Sequence, residues 1–397
     1  MSAREARRGR LRGLAGNLGL VVVSVVVVLL IAEAGTRLLS RTGPALLVTD
    51  PVVGKRFVPG FEGHVFVDEA GREIALRFNA EGFRDPDRPR RKPAGAHRVA
   101  LVGDSMVAAI ATEETHTLVR RLEASLREWQ PEKDFEVLNF GVSSSSTGQE
   151  LVLYRELVSA YEPDVVLLAL FVGNDFADNS RRLTRAPRIY FDLDPDGTLR
   201  QGPAPGAPRA LNRWLNHNSR FYVWQKQAFR RLRSSGRAWR GGLEPVQRVF
   251  ERPDDPDLAH AWALLSALLG RFKAEVEAGG SLFALVVIPS AEQVHDDLWE
   301  ALVARAGDGG SSLDRERPRR RLAAIAESEG IALLDLTAAF RRAAVGGTSL
   351  DEAASPFLLG RFHLSDEGNR LAAEEVFLFL RGQVLQQVSP GRAGGTP

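Results

Sequence analysis

A doubly wound α/β fold built on a five-stranded parallel sheet is predicted by three features of this sequence. Five short apolar runs show no period-two alternation, segments of helical spacing separate them, and small polar residues follow them. Strands covered on both faces read as continuous apolar runs, and helices between them make the crossovers that parallel pairing requires. Five such strands suit a flavodoxin-like order, in which ligands bind at the carboxyl ends of the strands.

The elements follow in chain order. Residues 1–12 form a basic segment with Arg4, Arg7, Arg8, Arg10 and Arg12, and an apolar run begins at Leu18. Counted from Leu14 to Ala34, that run reaches the roughly 20 residues a spanning helix needs. Residues 13–39 therefore predict a transmembrane signal anchor with the arginines cytoplasmic and the body outside. A cleaved signal peptide is the alternative, since Ala32-Glu33-Ala34 has a small residue on either side of Glu33. Both readings put the body beyond the cytoplasm. Residues 40–97 read as a linker and irregular β-rich lead-in, punctuated by Pro44, Pro51, Gly54, Pro59 and Gly60.

The main domain is expected over residues 98–388. Its strands are Val99–Val102, Glu136–Phe140, Asp164–Phe171, the run SLFALVVI ending at Ile288, and Ile331–Leu336. Helical spacing covers Glu113–Trp129, where Leu118, Leu122 and Leu126 recur four apart, then Gln149–Tyr161, and a final helix from Asp366 to Val388. An insertion spans about 176–257, and residues 389–397 form a Gly/Pro tail expected to be disordered.

Composition narrows the function classes. Across 397 residues, 52 basic side chains nearly balance 50 acidic ones, and no basic stripe is interleaved with aromatics in the manner of a nucleic-acid-binding surface. Cysteine is absent, which excludes disulfides, thiolate nucleophiles and Cys-ligated zinc. No Gly-x-Gly-x-x-Gly follows a strand, and there is no Gly-Lys-Ser/Thr phosphate loop. Gln293–Asp297 (QVHDD) offers one histidine and two acids; without a second histidine at ligand spacing it reads as a solvated helix start, not a metal site. Neither metal nor organic cofactor is expected.

The strand ends carry the chemistry. Gly103-Asp104-Ser105 follows the first strand, Gly141 and a serine run follow the second, and Gly173-Asn174-Asp175 follows the third. His363 lies just before the last helix. Each has a structural explanation: Ser105 could cap a helix, Gly141 could serve a tight turn, Asn174-Asp175 could form a turn, and His363 could be a satisfied structural histidine. Together they supply what acyl transfer needs. A serine requires a base to take its proton, a histidine suits that task at neutral pH, and the tetrahedral oxyanion requires amide donors.

These blocks resemble the SGNH/GDSL hydrolase superfamily, over a stretch from about Arg98 to the last helix. The resemblance implies Ser105 as nucleophile with its own amide in the oxyanion hole, Gly141 as a backbone donor, Asn174 as a side-chain donor and His363 as general base. The anchor ending in Glu33 and Arg37, with "NAEGFRD" (Asn79 to Asp85), is similar to a membrane-anchored branch. Two departures stand out. The family places an acid three residues before the histidine, where this chain has Gly360, and the third block is compressed to Gly-Asn-Asp. His363 is then held either by a backbone carbonyl, as part of a Ser-His dyad, or by an acid from elsewhere, with Asp335 and Asp351 nearest in sequence.

The insertion interleaves Trp214, Phe221, Tyr222, Trp224, Phe229 and Trp239 with arginines. This pattern suits a helical cap packing its aromatics on the domain, a lid over the site, or a surface resting on anionic lipid. The resulting expectation is a membrane-anchored, extracytoplasmic serine esterase acting on O-acyl esters of envelope glycans or lipids. Its alternatives are an O-acyltransferase on an envelope polysaccharide and a non-catalytic glycan-binding protein on the same scaffold.

Overall fold

A computed structural model describes residues 3–41, 43–206, 210–235, 243–345, 355–358 and 362–387. The chain divides into two compact units, Met1–Leu46 with Pro208–Arg237, and Leu47–Ala207 with Ala238–Pro397. The first unit begins with helix α1 (Ala3–Leu39), whose Gly16–Leu39 stretch is long and apolar enough to cross a membrane and is not buried by protein.

The second unit opens with two antiparallel hairpins in the lead-in, β1 (Leu47–Asp50) with β2 (Gly54–Phe57), and β3 (Glu62–Val67) with β4 (Arg72–Arg77). They carry their own apolar core: Phe57, Ile74, Leu76 and Phe78 are all buried, and Phe57 stacks on Phe78 with centroids 4.3 Å apart, while Phe83 joins the sheet core against Phe140. The "NAEGFRD" segment closes this layer. Asn79 accepts the amides of Glu81 at 3.1 Å and Phe83 at 2.9 Å, while the buried Arg84 guanidinium donates to the Ala109 carbonyl.

The sheet follows in order: β5 (Ala96–Gly103), α2 (Ser105–Ala108), α3 (Leu118–Trp129), β6 (Asp134–Gly141), α4 (Thr147–Glu156) and β7 (Val165–Phe171). Next come α5 (Asp175–Asp178) and a small hairpin, β8 (Phe191–Leu193) with β9 (Leu199–Gln201). The chain then supplies two helices to the first unit, α6 (Ala210–Asn218) and α7 (Arg220–Ser235). It completes the second unit with α8 (Pro256–Ala278), β10 (Leu282–Ile288), α9 (Ala291–Val294), α10 (Asp296–Ala306), α11 (Arg317–Glu329), β11 (Ala332–Asp335), α12 (Thr337–Ala343) and α13 (Asp366–Phe379).

The sheet order is β11-β10-β7-β5-β6 with every pair parallel, which is the flavodoxin-like order expected. All seven residues of β7 are buried, as a central strand covered on both faces must be. One core layer, with Leu151, Leu265 and Phe272, packs α4 and α8 on one face of the sheet. The other, with Leu122, Phe340 and Val376, packs α3, α12 and α13 on the opposite face. The order of strands reverses direction at β5, between β6 and β7, so the ends of these three strands form the crevice of the fold.

Candidate active site

Strand β5 ends at Gly103, and Asp104 caps the short helix that follows by accepting from Met106 N at 2.8 Å. Met106, Val107 and Ala108 are buried, so the turn is anchored from beneath while Ser105 stays partly open. The end of β7, two strands later in sequence but the direct neighbour of β5 in the sheet, lies beside it: Asn174 Nδ2 donates to Asp104 Oδ2 at 2.8 Å. An amide nitrogen carries two N–H groups. Asp104 engages one of them and thereby orients the other. Asp175 holds the same turn by accepting from Phe171 N at 2.8 Å.

Gly141 sits beside these residues, paired with Gly103 in the β5–β6 register. Its expected role as an oxyanion donor is not what its contacts show. The Gly141 amide donates to Asn139 Oδ1 at 2.9 Å, and Asn139 in turn donates to the Val107 carbonyl at 3.1 Å. A Cβ at 141 would lie 2.2 Å from Ala108 N, so glycine is required by the close approach of β6 to α2. The loop beyond turns through Ser144, which is exposed and has a φ of 64°, a left-handed conformation uncommon outside glycine.

The acid missing ahead of His363 comes from the lead-in. Glu69, in the turn between β3 and β4, accepts from the His363 ring at Nδ1. Its other oxygen accepts the backbone amides of His363 at 3.2 Å and Phe362 at 3.3 Å. Burial pushes the imidazole pKa down, but the Glu69 hydrogen bond and charge, with the Asp104 charge, more than offset it, and the net direction is upward. Burial likewise pushes Glu69 up, and the His363 bond and charge with the two amides bring it below the usual carboxylate range. Asp335 is committed elsewhere, to Arg319 Nε at 2.8 Å and Thr337 N at 2.9 Å. Gly360 and Asp351 lie outside the described residues.

The His363 loop is tied to the segment after Ser105. Leu118 N donates to Asn369 Oδ1 at 2.9 Å, and His116 pairs with Asp366 at 3.1 Å. Ser365 caps α13 by accepting from Gly368 N at 3.0 Å. Among the described residues no hydrogen bond joins the Ser105 hydroxyl to the His363 ring.

Three carboxyl groups lie wholly buried under this surface: Asp104, Glu150 and Asp175. Burial raises all three, and their mutual repulsion pushes Glu150 and Asp175 well above the usual range. Glu150 Oε1 accepts from Ser145 Oγ at 3.0 Å, whereas Glu150 Oε2 and Asp175 Oδ1 are buried without a partner. Like charges this close cannot all ionise. Nothing in the spacing of the chain singled out Glu150; only its place on a fully buried stretch of α4 reveals it.

A cavity of 370 Å³ is lined by Gly173 and Phe362, the chain neighbours of Asn174 and His363, and by Gln247, Ser290, Glu292 and Arg305. His295, expected in a solvated helix start, is instead buried, with Nε2 3.0 Å from Ser355 Oγ. No group of metal-ligating side chains occurs among the described residues.

No family model matches the sequence, and no curated protein matches it. Among solved structures, the chain is similar to TesA at 15% identity and a TM-score of 0.39, covering 72% of this chain and 98% of that one. It is also similar to Axe2, an acetylxylan esterase from Geobacillus stearothermophilus, at 15% identity and 0.37, covering 72% and 93%. LAE5, an alpha/beta hydrolase enzyme from the metagenome of Lake Arreo, Spain, gives 15% and 0.37, covering 72% and 96%. At such distances the chemistry rests on the residues described above.

Proposed function

We propose that the chain is a membrane-anchored, extracytoplasmic serine esterase of the SGNH type, with Ser105 as nucleophile and His363 as general base. The observation that carries this reading is the Glu69 carboxylate on His363 Nδ1. A carboxylate there selects the ring tautomer with the proton on Nδ1, which leaves Nε2 free to take a proton, and it stabilises the imidazolium that forms. Ser105 Oγ attacks the ester carbonyl as His363 takes its proton. The Ser105 amide and the Asp104-oriented Asn174 amide serve as the oxyanion donors. His363 returns the proton to the departing alcohol, and water resolves the acyl-enzyme by the reverse sequence.

The lining of the adjoining cavity supports a hydroxyl-rich alcohol portion. Gln247, Glu292 and Arg305 offer polar groups to a sugar, alongside the apolar lining of Phe171, Val172, Val246, Phe250 and Phe362. O-acylated envelope glycan is therefore the proposed substrate class, and a sugar hydroxyl in place of water would make the same site an O-acyltransferase. The non-catalytic alternative draws its support from Gly360, and the Glu69–His363 pair favours the catalytic reading over it.

A fluorophosphonate probe tests the reading, because only an activated serine labels. The wild-type chain should label and hydrolyse p-nitrophenyl acetate, and Ser105→Ala should do neither while retaining its melting temperature. A folded wild-type protein that does not label returns the case to a binding scaffold.

A further inference from the structure

We propose that the α6–α7 hairpin is an interfacial element that lies on anionic phospholipid headgroups of the membrane crossed by α1. The proposal rests on the anchored reading of α1. Residues 210–235 carry Arg213, Arg220, Lys226, Arg230, Arg231 and Arg233 and no acidic residue, in a chain whose charges otherwise nearly balance. The same hairpin exposes Leu211 (67%), Trp214 (59%), Trp224 (45%), Phe229 (57%) and Leu232 (72%). In the second unit the large apolar side chains exposed among the described residues are Val52, Val345, Phe362 and Leu378, which are scattered along the chain. Apolar and aromatic side chains in a strongly basic helical pair are the composition of an element that rests in the headgroup region.

Its attachment point gives the location. Glu33 of α1 receives the start of α7: Ser219 Oγ donates to Oε2 at 2.7 Å, Phe221 N to Oε2 at 3.1 Å and Arg220 N to Oε1 at 3.0 Å. Arg37, paired with Glu33 at 2.6 Å, donates to the Asn218 carbonyl at the end of α6 at 3.0 Å. The clamp thus grips the junction of the two helices. Glu33 lies two residues past Ile31, where the unbroken exposed apolar run ends, and six residues, about 9 Å of helix axis, before Leu39, which with Leu38 is also exposed. A hairpin fixed there lies within about 9 Å of the end of the span, at the margin of the lipid, whenever α1 crosses the membrane. Its positive charge then lies within a Debye length of any anionic headgroups in that leaflet.

The chain has no cysteine, so single-cysteine variants can be labelled directly. Val25→Cys in α1, Phe229→Cys and Trp224→Cys in the hairpin, and Glu132→Cys on the second unit would each carry a nitrobenzoxadiazole label. The full chains would be reconstituted into vesicles of phosphatidylcholine with or without phosphatidylglycerol, containing doxyl-labelled lipid. The expected result is quenching and a blue shift at 25, 229 and 224 in the anionic vesicles, none at 132, and loss of the hairpin signal with Arg220→Gln/Lys226→Gln. Quenching at 25 without quenching at 229 or 224 overturns the hairpin proposal and leaves the anchor intact. No quenching at 25 overturns the anchor and the hairpin with it. Equal hairpin quenching in both compositions overturns recognition of anionic lipid.

Discussion

At the scale of single residues, two carboxyl groups make opposite predictions. Glu69 holds its charge and raises the His363 pKa, and the base must be neutral to act, so turnover rises with pH through that pKa. Glu69→Gln removes the charge. The acid limb of the kcat/KM profile should move to lower pH, and kcat should fall on the order of 10⁴, the loss seen when a triad carboxylate becomes an amide. A profile that does not move would make Glu69 a loop staple and not a partner of the base. Glu150 is the reverse case, a buried acid whose folded pKa is raised by burial and by the Asp104 charge. The folded state then binds more protons than the unfolded one above the unfolded carboxylate pKa of about 4.3. Its stabilising contribution is complete below that value and is lost as pH rises toward the folded pKa. Glu150→Gln mimics the neutral form, so its melting temperature should gain on the wild type as pH rises from 4 toward neutrality. A constant difference across that range would refute the buried proton.

At the scale of elements, the site depends on close approaches that leave no room for a side chain. A Cβ at Gly368 would lie 2.0 Å from the Pro356 carbonyl oxygen, so the first turn of α13 can dock only with glycine there. Ser365 N, two residues past His363, bonds that same carbonyl at 2.9 Å, which ties the base to the docking of the helix. Gly368→Ala should cost about 1–3 kcal/mol, the usual penalty for overpacking. Thermal melts should show the loss, and kcat should fall with it because the His363 loop moves with the helix start. An alanine variant that melts and turns over like the wild type would show that this contact relaxes freely. The β3–β4 hairpin has the same kind of role: its strand pairing from Glu62–Arg77 to Val67–Arg72 puts Glu69 at the tip of a stiff arm.

At the scale of the whole molecule, the proposed anchoring by α1 would set where the chemistry happens. The basic segment before the apolar stretch favours a cytoplasmic N-terminus, and under the anchored proposal the rest of the chain would lie outside. A C-terminal alkaline phosphatase fusion should be active and a C-terminal green fluorescent protein fusion dark. The opposite pattern would reverse the orientation and remove envelope glycans as substrates.

Local pattern was enough for much of this protein. The five apolar runs specified the strands, because a strand buried on both faces must be apolar at successive positions, as β7 is throughout. The helical spacing between them led to the parallel sheet, and the polar residues at the strand ends raised Ser105 and Asn174 as candidates, with His363 before the last helix. Tertiary structure alone decided the partners. Glu69 and His363 are 294 residues apart, and no local spacing records a contact made by folding a hairpin against a distant loop. The buried carboxyl group of Glu150 and the commitment of Gly141 to Asn139 belong to the same class. Sequence patterns report the environment a segment requires, whereas a long-range hydrogen bond is set by the packing of elements whose order in space the local pattern does not contain.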